Sequence, residues 1–142
     1  MELILANSDE EIMACFPAFK ELRPTLQAEQ FLAQVRRQQS QGYQLLALHT
    51  EGRVPSAAGF RVLEFLAWGK VLYIDDLSTM AQARGQGHAS AILDWLQAYA
   101  QALTCDAIHL DSGYARNTAH RLYLSRGFEL SCHHFALNLK AS

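Results

Sequence analysis

The sequence predicts an α/β (α+β) fold, a mixed and mostly antiparallel sheet flanked by helices. Three observations predict it. From Gln41 the strand-like runs "YQLLALHT", "AAGFRVLEFLA" and "KVLYIDDLSTM" follow one another with turn residues between them, as in an antiparallel meander. Ahead of the meander lie two helical stripes. Behind it the pattern alternates helix, strand, helix, strand, which adds further strands to the sheet.

Each element has its own signal. "ELILANS" opens with Leu3 and Leu5 on one side, as a short strand. Ser8 begins a helix, with Glu11 completing a capping box. Ile12, Cys15, Phe16 and Phe19 recur at helical spacing, but Pro17 interrupts them and predicts a kink or a shorter helix. "LRP" ends that helix. Thr25 is the expected cap of a second one, with Phe31, Leu32 and Val35 as its stripe. "EGRVPS" joins the first two meander strands, turning at Glu51-Gly52, and Gly69 marks the next turn. A helix then runs to about Leu103 on the stripe Ile92, Leu96, Tyr99 and Leu103. "DAIHLDS" reads as a strand and "ARNTAHRLYLSRG" as a helix ending at Gly127. "FELSCHHFALNL" reads as one strand or two.

A chain of 142 residues is expected to form a single domain, 1–142. Half of it is hydrophobic (50%), enough for a full core. The net charge of -2 gives no reason to expect a nucleic acid partner. No apolar run reaches the ~20 residues of a membrane span. The start "MELILANSDEE" is acidic and unlike a signal peptide, so the expected location is cytoplasmic. Cys15, Cys105 and Cys132 are an odd, scattered set, which predicts free thiols and no zinc site. His133 and His134 would face opposite ways on a strand, so no metal is expected there. His120, three residues before Tyr123, reads as a surface or packing residue.

The chemistry concentrates in "ARGQGHASAIL", Ala83 to Leu93. A strand, a glycine turn and a helix start make a site for a phosphate. The first amides of a helix lack partners inside it, and its dipole puts partial positive charge there. The amides of Gly85, Gln86, Gly87, His88, Ala89 and Ser90 are the candidate donors, and Arg84 adds a full charge. The P-loop pattern fails, because His88-Ala89 stands where lysine and Ser or Thr belong. The dinucleotide fingerprint fails too, with Ser90 at its third glycine.

Arg84-Gly85-Gln86-Gly87-His88-Ala89 does fit the R/Q-x-x-G-x-G/A signature. Together with the strand "YIDDLSTM" before it and "ARNTAHRLYLSRGFEL" after it, the chain resembles the GCN5-related N-acetyltransferases (GNAT family), small bacterial members in particular. Some of these, the aminoalkylphosphonate acetyltransferases, share an "R-x-x-A-H-R-x-Y" helix; no phosphonate is assigned. The resemblance implies splayed parallel strands and acetyl-CoA as co-substrate. Its pyrophosphate would rest on the amides of Arg84 to Ser90, and its pantetheine arm on the backbone of Leu77, Ser78 and Thr79. Tyr123 matches the family's general acid. The family's base is often a carboxylate on the strand before the turn, here Asp75 or Asp76, with a slight preference for Asp76.

Strict alternation would point those two carboxylates to opposite faces. Where many members carry a cofactor-touching asparagine, this chain has Arg116, with Asn117 one step later as a candidate contact. Asp111 and Ser112 are further candidates for touching substrate. Lys20, Arg23 and Arg61 read as solvated surface charges more than as substrate anchors. The resemblance thus implies an enzyme that acetylates a small-molecule primary amine, with a homodimer as an expected assembly. Acetylation of a protein lysine or N-terminus, or a non-catalytic acyl-CoA-binding module, are the alternatives.

Overall fold

The structure is a computed structural model and describes residues 1–113 and 116–140. Its strands are β1 (Glu2–Leu5), β2 (Gln44–Thr50), β3 (Arg53–Phe65), β4 (Gly69–Thr79) and β5 (Ala107–Leu110). Its helices are α1 (Asp9–Ala14), α2 (Phe16–Leu22), α3 (Ala28–Gln39), α4 (His88–Ala102) and α5 (Asn117–Ser125). Contacts divide the chain into two compact units, Met1–Leu110 and Asp111–Ser142. The predicted start of α5, Ala115, lies outside the described residues. Among the described residues, no helix is long and apolar enough to cross a membrane.

The first unit is built on a sheet in the order β1-β2-β3-β4-β5. All neighbours are antiparallel except β4 and β5, which are parallel. The meander is therefore real, and a strand after a helix adds the parallel edge. One face packs on α1, α2 and α3 through Ile12, Cys15, Phe19, Phe31, Val35, Leu45, Ala47 and Ala57. On the other, the fully buried Phe60 meets Trp95 and Tyr99 of α4 edge-on, with centroids 6.4 and 5.8 Å away. Truncating such a ring to alanine costs about 3–5 kcal/mol, so this contact anchors α4 to the sheet.

The capping box forms as predicted: Glu11 N–H donates to Ser8 Oγ, and Ser8 N–H donates to Glu11 Oε1. The amides of Ser8 and Asn7, both donating to Glu11 Oε1, hold the pKa of that carboxyl below its ordinary value. The interruption at Pro17 is a break at Cys15 that leaves two short helices. Proline falls in the first turn of α2, where its missing N–H has no helical partner to lose.

Three expectations fail for tertiary reasons. Thr25 does not cap α3. Lys20 Nζ donates to the carbonyls of Pro24 and Leu26, and Leu26 N–H donates to Arg23 O, so Pro24 and Thr25 lie in a turn and the extended Gln27 is the actual N-cap. β3 starts at Arg53, inside the predicted connection, and contains Pro55. The β2–β3 register shifts between Leu48 and Thr50, so a residue without N–H is accommodated at an irregularity in the ladder. Finally, "FELSCHHFALNL" forms no strand among the described residues. Leu130, Phe135, Leu137 and Leu139, its large apolar residues, are exposed. Apolar alternation makes a strand only against a partner that accepts its backbone bonds, and here no ladder includes this segment.

Candidate functional site

The glycine turn is a backbone device. A short 3-10 turn, Ala81–Ala83, follows β4, and then Gly85 and Gly87 take φ of 77° and 81°. These left-handed angles are costly for residues with a Cβ. A Cβ built at either position meets nothing within 4 Å, so conformation and open approach, not crowding, call for glycine. Gly87 is the N-cap of α4 and brings no capping side chain. The first bond to its carbonyl comes from Ala91 N–H, at 3.0 Å. The amides of His88, Ala89 and Ser90 thus end the helix without intrahelical acceptors. Arg84 Nε donates to Thr79 O at 3.3 Å, which ties the turn to the end of β4. The residues fit an anion with several oxygens: glycines that admit close approach, uncapped amides, the dipole of a 15-residue helix and one cation. His88 is 8% exposed, and neither ring nitrogen has a partner among the described residues.

Beside this turn β4 changes character. Its pairing with β5 runs from Val71↔Ala107 to Ile74↔Leu110 and stops, while its pairing with β3 continues to Ser56↔Thr79. The other edge of Asp75–Thr79 therefore carries no strand among the described residues. Here lie the backbones of Leu77, Ser78 and Thr79. Leu77 and Ser78 are buried, and Ser56 Oγ donates to Ser78 O at 2.9 Å. A length of chain with thioester and amide groups can pair along such an edge.

The two aspartates depart from strict alternation. The β3–β4 register slips between Gly59↔Asp76 and Phe60↔Ile74, so Asp75 is the extra residue of a β-bulge. Because of it, both carboxylates join one cluster on the face of α1–α3. Arg61 donates to Asp75 through Nε and Nη2, at 2.7 Å to Oδ2 for the latter. Its guanidinium also lies 5.3 Å from the Tyr43 ring centroid. Tyr43 Oη donates to Asp76 Oδ2 at 2.7 Å. Arg23 donates to Asp76 Oδ1 through Nε (3.3 Å) and Nη2 (3.0 Å), and to Asp75 O. Burial raises the Asp75 pKa, with Asp76 adding to it, against the lowering effect of Arg61. Burial and the neighbouring Asp76 also raise the Tyr43 pKa, so its phenol stays a donor.

Lys20, Arg23 and Arg61 are therefore engaged, not simply solvated. Lys20 holds the link after α2, and the other two hold the aspartates. Glu21 accepts from Ala81 N–H at 2.6 Å, which fastens the end of α2 to the chain just past β4.

Tyr123 belongs to the second unit. It is 8% exposed, and its ring meets Phe128 edge-on at 5.7 Å. Burial raises its pKa, while the Arg116 charge works in the opposite direction. The group stays a neutral phenol well past pH 7. Asn117 is the first residue of α5 and is exposed, while Arg116 is its N-cap residue without a side-chain bond. Asp111 Oδ1 lies 3.6 Å from His134 Nδ1, and Ser112 Oγ is buried without a partner among the described residues. Among the described residues no group of three metal-binding side chains converges.

Sequence reasoning missed Tyr43 and Gly59. Tyr43 crosses β3 over Gly59, where a Cβ would lie 1.7 Å from its Oη. The available signal was a glycine inside a strand run, "AAGFRV", which often marks a close approach.

The sequence model of the Acetyltransferase (GNAT) family matches residues 7–128. The N-acetyltransferase YhdJ of Bacillus subtilis (strain 168) is 30% identical over 131 residues, 91% of this chain and 92% of that protein. Two solved structures share the fold at low identity. The ribosomal-protein-alanine N-acetyltransferase from Brucella melitensis biovar Abortus 2308 aligns at TM-score 0.82 and 14% identity, covering 98% of this chain and 100% of that one. AAC(6')-Iy, in complex with the bisubstrate analogue CoA-S-monomethyl-acetylneamine, aligns at TM-score 0.83 and 13% identity, over 99% and 98% of the two chains.

Proposed function

This chain belongs to the GNAT family of acetyltransferases, and we propose that it moves an acetyl group from acetyl-CoA to a primary amine of a small molecule, as one domain over residues 1–142. The observation that carries the reading is the juxtaposition on β4. A strand edge with no partner strand among the described residues, and with two aspartates beside it, leads through a short 3-10 turn to the glycine turn at a helix start.

The amides of Arg84, Gly85, Gln86, Gly87, His88, Ala89 and Ser90 bind the pyrophosphate of CoA, helped by the Arg84 charge. The backbone of Leu77, Ser78 and Thr79 aligns the pantetheine arm, and an amide of this edge polarises the acetyl carbonyl. Asn117 is a further contact to CoA. The thioester supplies an activated acetyl group, and the amine attacks it directly. Asp76 accepts the proton of the acceptor's ammonium group, and Asp75, held by Arg61, is the second candidate. Tyr123 holds the proton for the departing sulfur, a role that suits a buried neutral phenol.

The strapping of α2 to β4 favours a small acceptor. Arg23 on the aspartates and Glu21 on Ala81 tie the end of α2 to the strand that would receive the acceptor, which leaves less room for an extended peptide than for a small amine. We read the enzyme as cytoplasmic and its assembly as a homodimer.

Release of CoA measured against a panel of small amines and amine-bearing peptides tests the reading. Turnover should rise with small amines and stay low with peptides. Tight acetyl-CoA binding without turnover on any amine would overturn it. Replacing Tyr123 with phenylalanine should lower kcat by about 10²-fold where chemistry limits the rate. Full turnover in that variant ends the acid assignment.

A further inference from the structure

From the cluster on β4 we infer that Tyr43, seated over Gly59, is a positioning residue that makes Oδ2 of Asp76 the proton-accepting atom. This rests on Asp76 being the base.

The geometry allows a count of lone pairs. An ionised carboxylate offers about four acceptor directions, two on each oxygen. Arg23 takes Oδ1 through both Nε and Nη2. Tyr43 takes one direction on Oδ2 through its hydroxyl. One direction remains, and it belongs to Oδ2. The carboxylate is thus clamped from both sides, with a single acceptor position left open by the described residues.

Gly59 makes the clamp feasible. Asp76 is the cross-strand partner of Gly59, and Tyr43 approaches from the far side of β3. The phenol must cross the β3 backbone to reach Oδ2. A Cβ at Gly59 would lie 1.7 Å from Oη, 2.2 Å from Cζ and 2.6 Å from Cε1. The φ of Gly59 is not in the left-handed range, so its backbone tolerates alanine and only the tyrosine must move. This glycine keeps a path open for another residue's side chain.

The charged groups around Asp76 come from every packed element. Arg23 stands at the end of α2, while Lys20 and Glu21 of that helix are turned to the carbonyls of Pro24 and Leu26 and to Ala81 N–H. Arg61 reaches in from β3 and Asp75 from β4. Tyr43 is the neutral donor among them. A donor bond to the carboxylate favours its charged form. Without it the carboxylate is held by Arg23 alone and the open direction on Oδ2 is no longer aimed at one place, so kcat falls while the KM for acetyl-CoA holds.

Tyr43→Phe and Gly59→Ala test this by different routes, one deleting the hydroxyl and the other expelling it. kcat and the KM for acetyl-CoA are measured with a turned-over amine in each variant, alone and combined with Asp76→Asn. Both variants should lower kcat by about five- to tenfold and leave the KM for acetyl-CoA unchanged, and neither should lower kcat further once Asp76 is asparagine. Tyr43→Phe loses one oxygen and should retain acetyl-CoA binding, so it answers even where Gly59→Ala fails to fold. A kcat unmoved in Tyr43→Phe overturns the inference. A kcat that Tyr43→Phe lowers equally with Asp76 and with Asp76→Asn removes the positioning role alone, while full turnover in Asp76→Asn removes the base assignment and the positioning role together.

Discussion

The glycine turn at the start of α4 and the aspartate cluster on β4 adjoin each other in one unit and are built in opposite ways. The turn works with backbone: two left-handed glycines, uncapped amides and a helix dipole. The cluster works with side chains from β2's approach, β3, β4 and the end of α2, each held by another. The first suits a donor whose charged group is always the same. The second has many parts that can change, which suits the side of an enzyme that chooses its acceptor.

That contrast can be broken at either end. The largest effect is expected at Asp76. Asp76→Asn keeps the shape, removes the basic oxygen and should lower kcat by about 10²–10⁴-fold, with acetyl-CoA affinity retained. A comparable loss of acetyl-CoA affinity, read by calorimetry, would mean that the two sites are not separate. Next comes Gly87. Aspartate and asparagine both tolerate the left-handed angle, so Gly87→Asp against Gly87→Asn isolates charge. The aspartate variant should bind acetyl-CoA more weakly than the asparagine variant by roughly tenfold or more. Equal affinities for the two would remove the anion from this turn. The smallest effect belongs to Arg84, an exposed cation. Arg84→Ala should weaken acetyl-CoA binding about two- to fivefold, and added salt should shrink the difference. A loss that ignores salt would point instead to its bond with Thr79 O.

The two regions also differ in how far the sequence discloses them. The turn is a run of neighbours, so its conformation and chemistry follow from residue types at fixed spacing. The cluster depends on the β3–β4 register. Alternation put Asp75 and Asp76 on opposite faces, and the slip between Gly59 and Phe60 brought both to Arg61 and Tyr43. No local pattern carries a bulge that is defined by the strand next door. Tyr43 is 33 residues from Asp76, and its role follows from a missing Cβ on a third residue. The expected cap at Thr25 failed likewise, because Lys20 took the carbonyls of the preceding link.

By itself the sequence determined the meander, the break at Pro17, the capping box at Ser8, the long helix after the glycines and the resemblance to the acetyltransferase family. These rest on periodicity and on residues whose backbone limits are intrinsic. Only the tertiary structure decided where β5 leaves β4, that both aspartates share a face, which side chains hold each oxygen of Asp76, and that residues 128–140 form no strand. Each of these is set by a partner distant in sequence, and a backbone or carboxylate group commits itself only when that partner is in place.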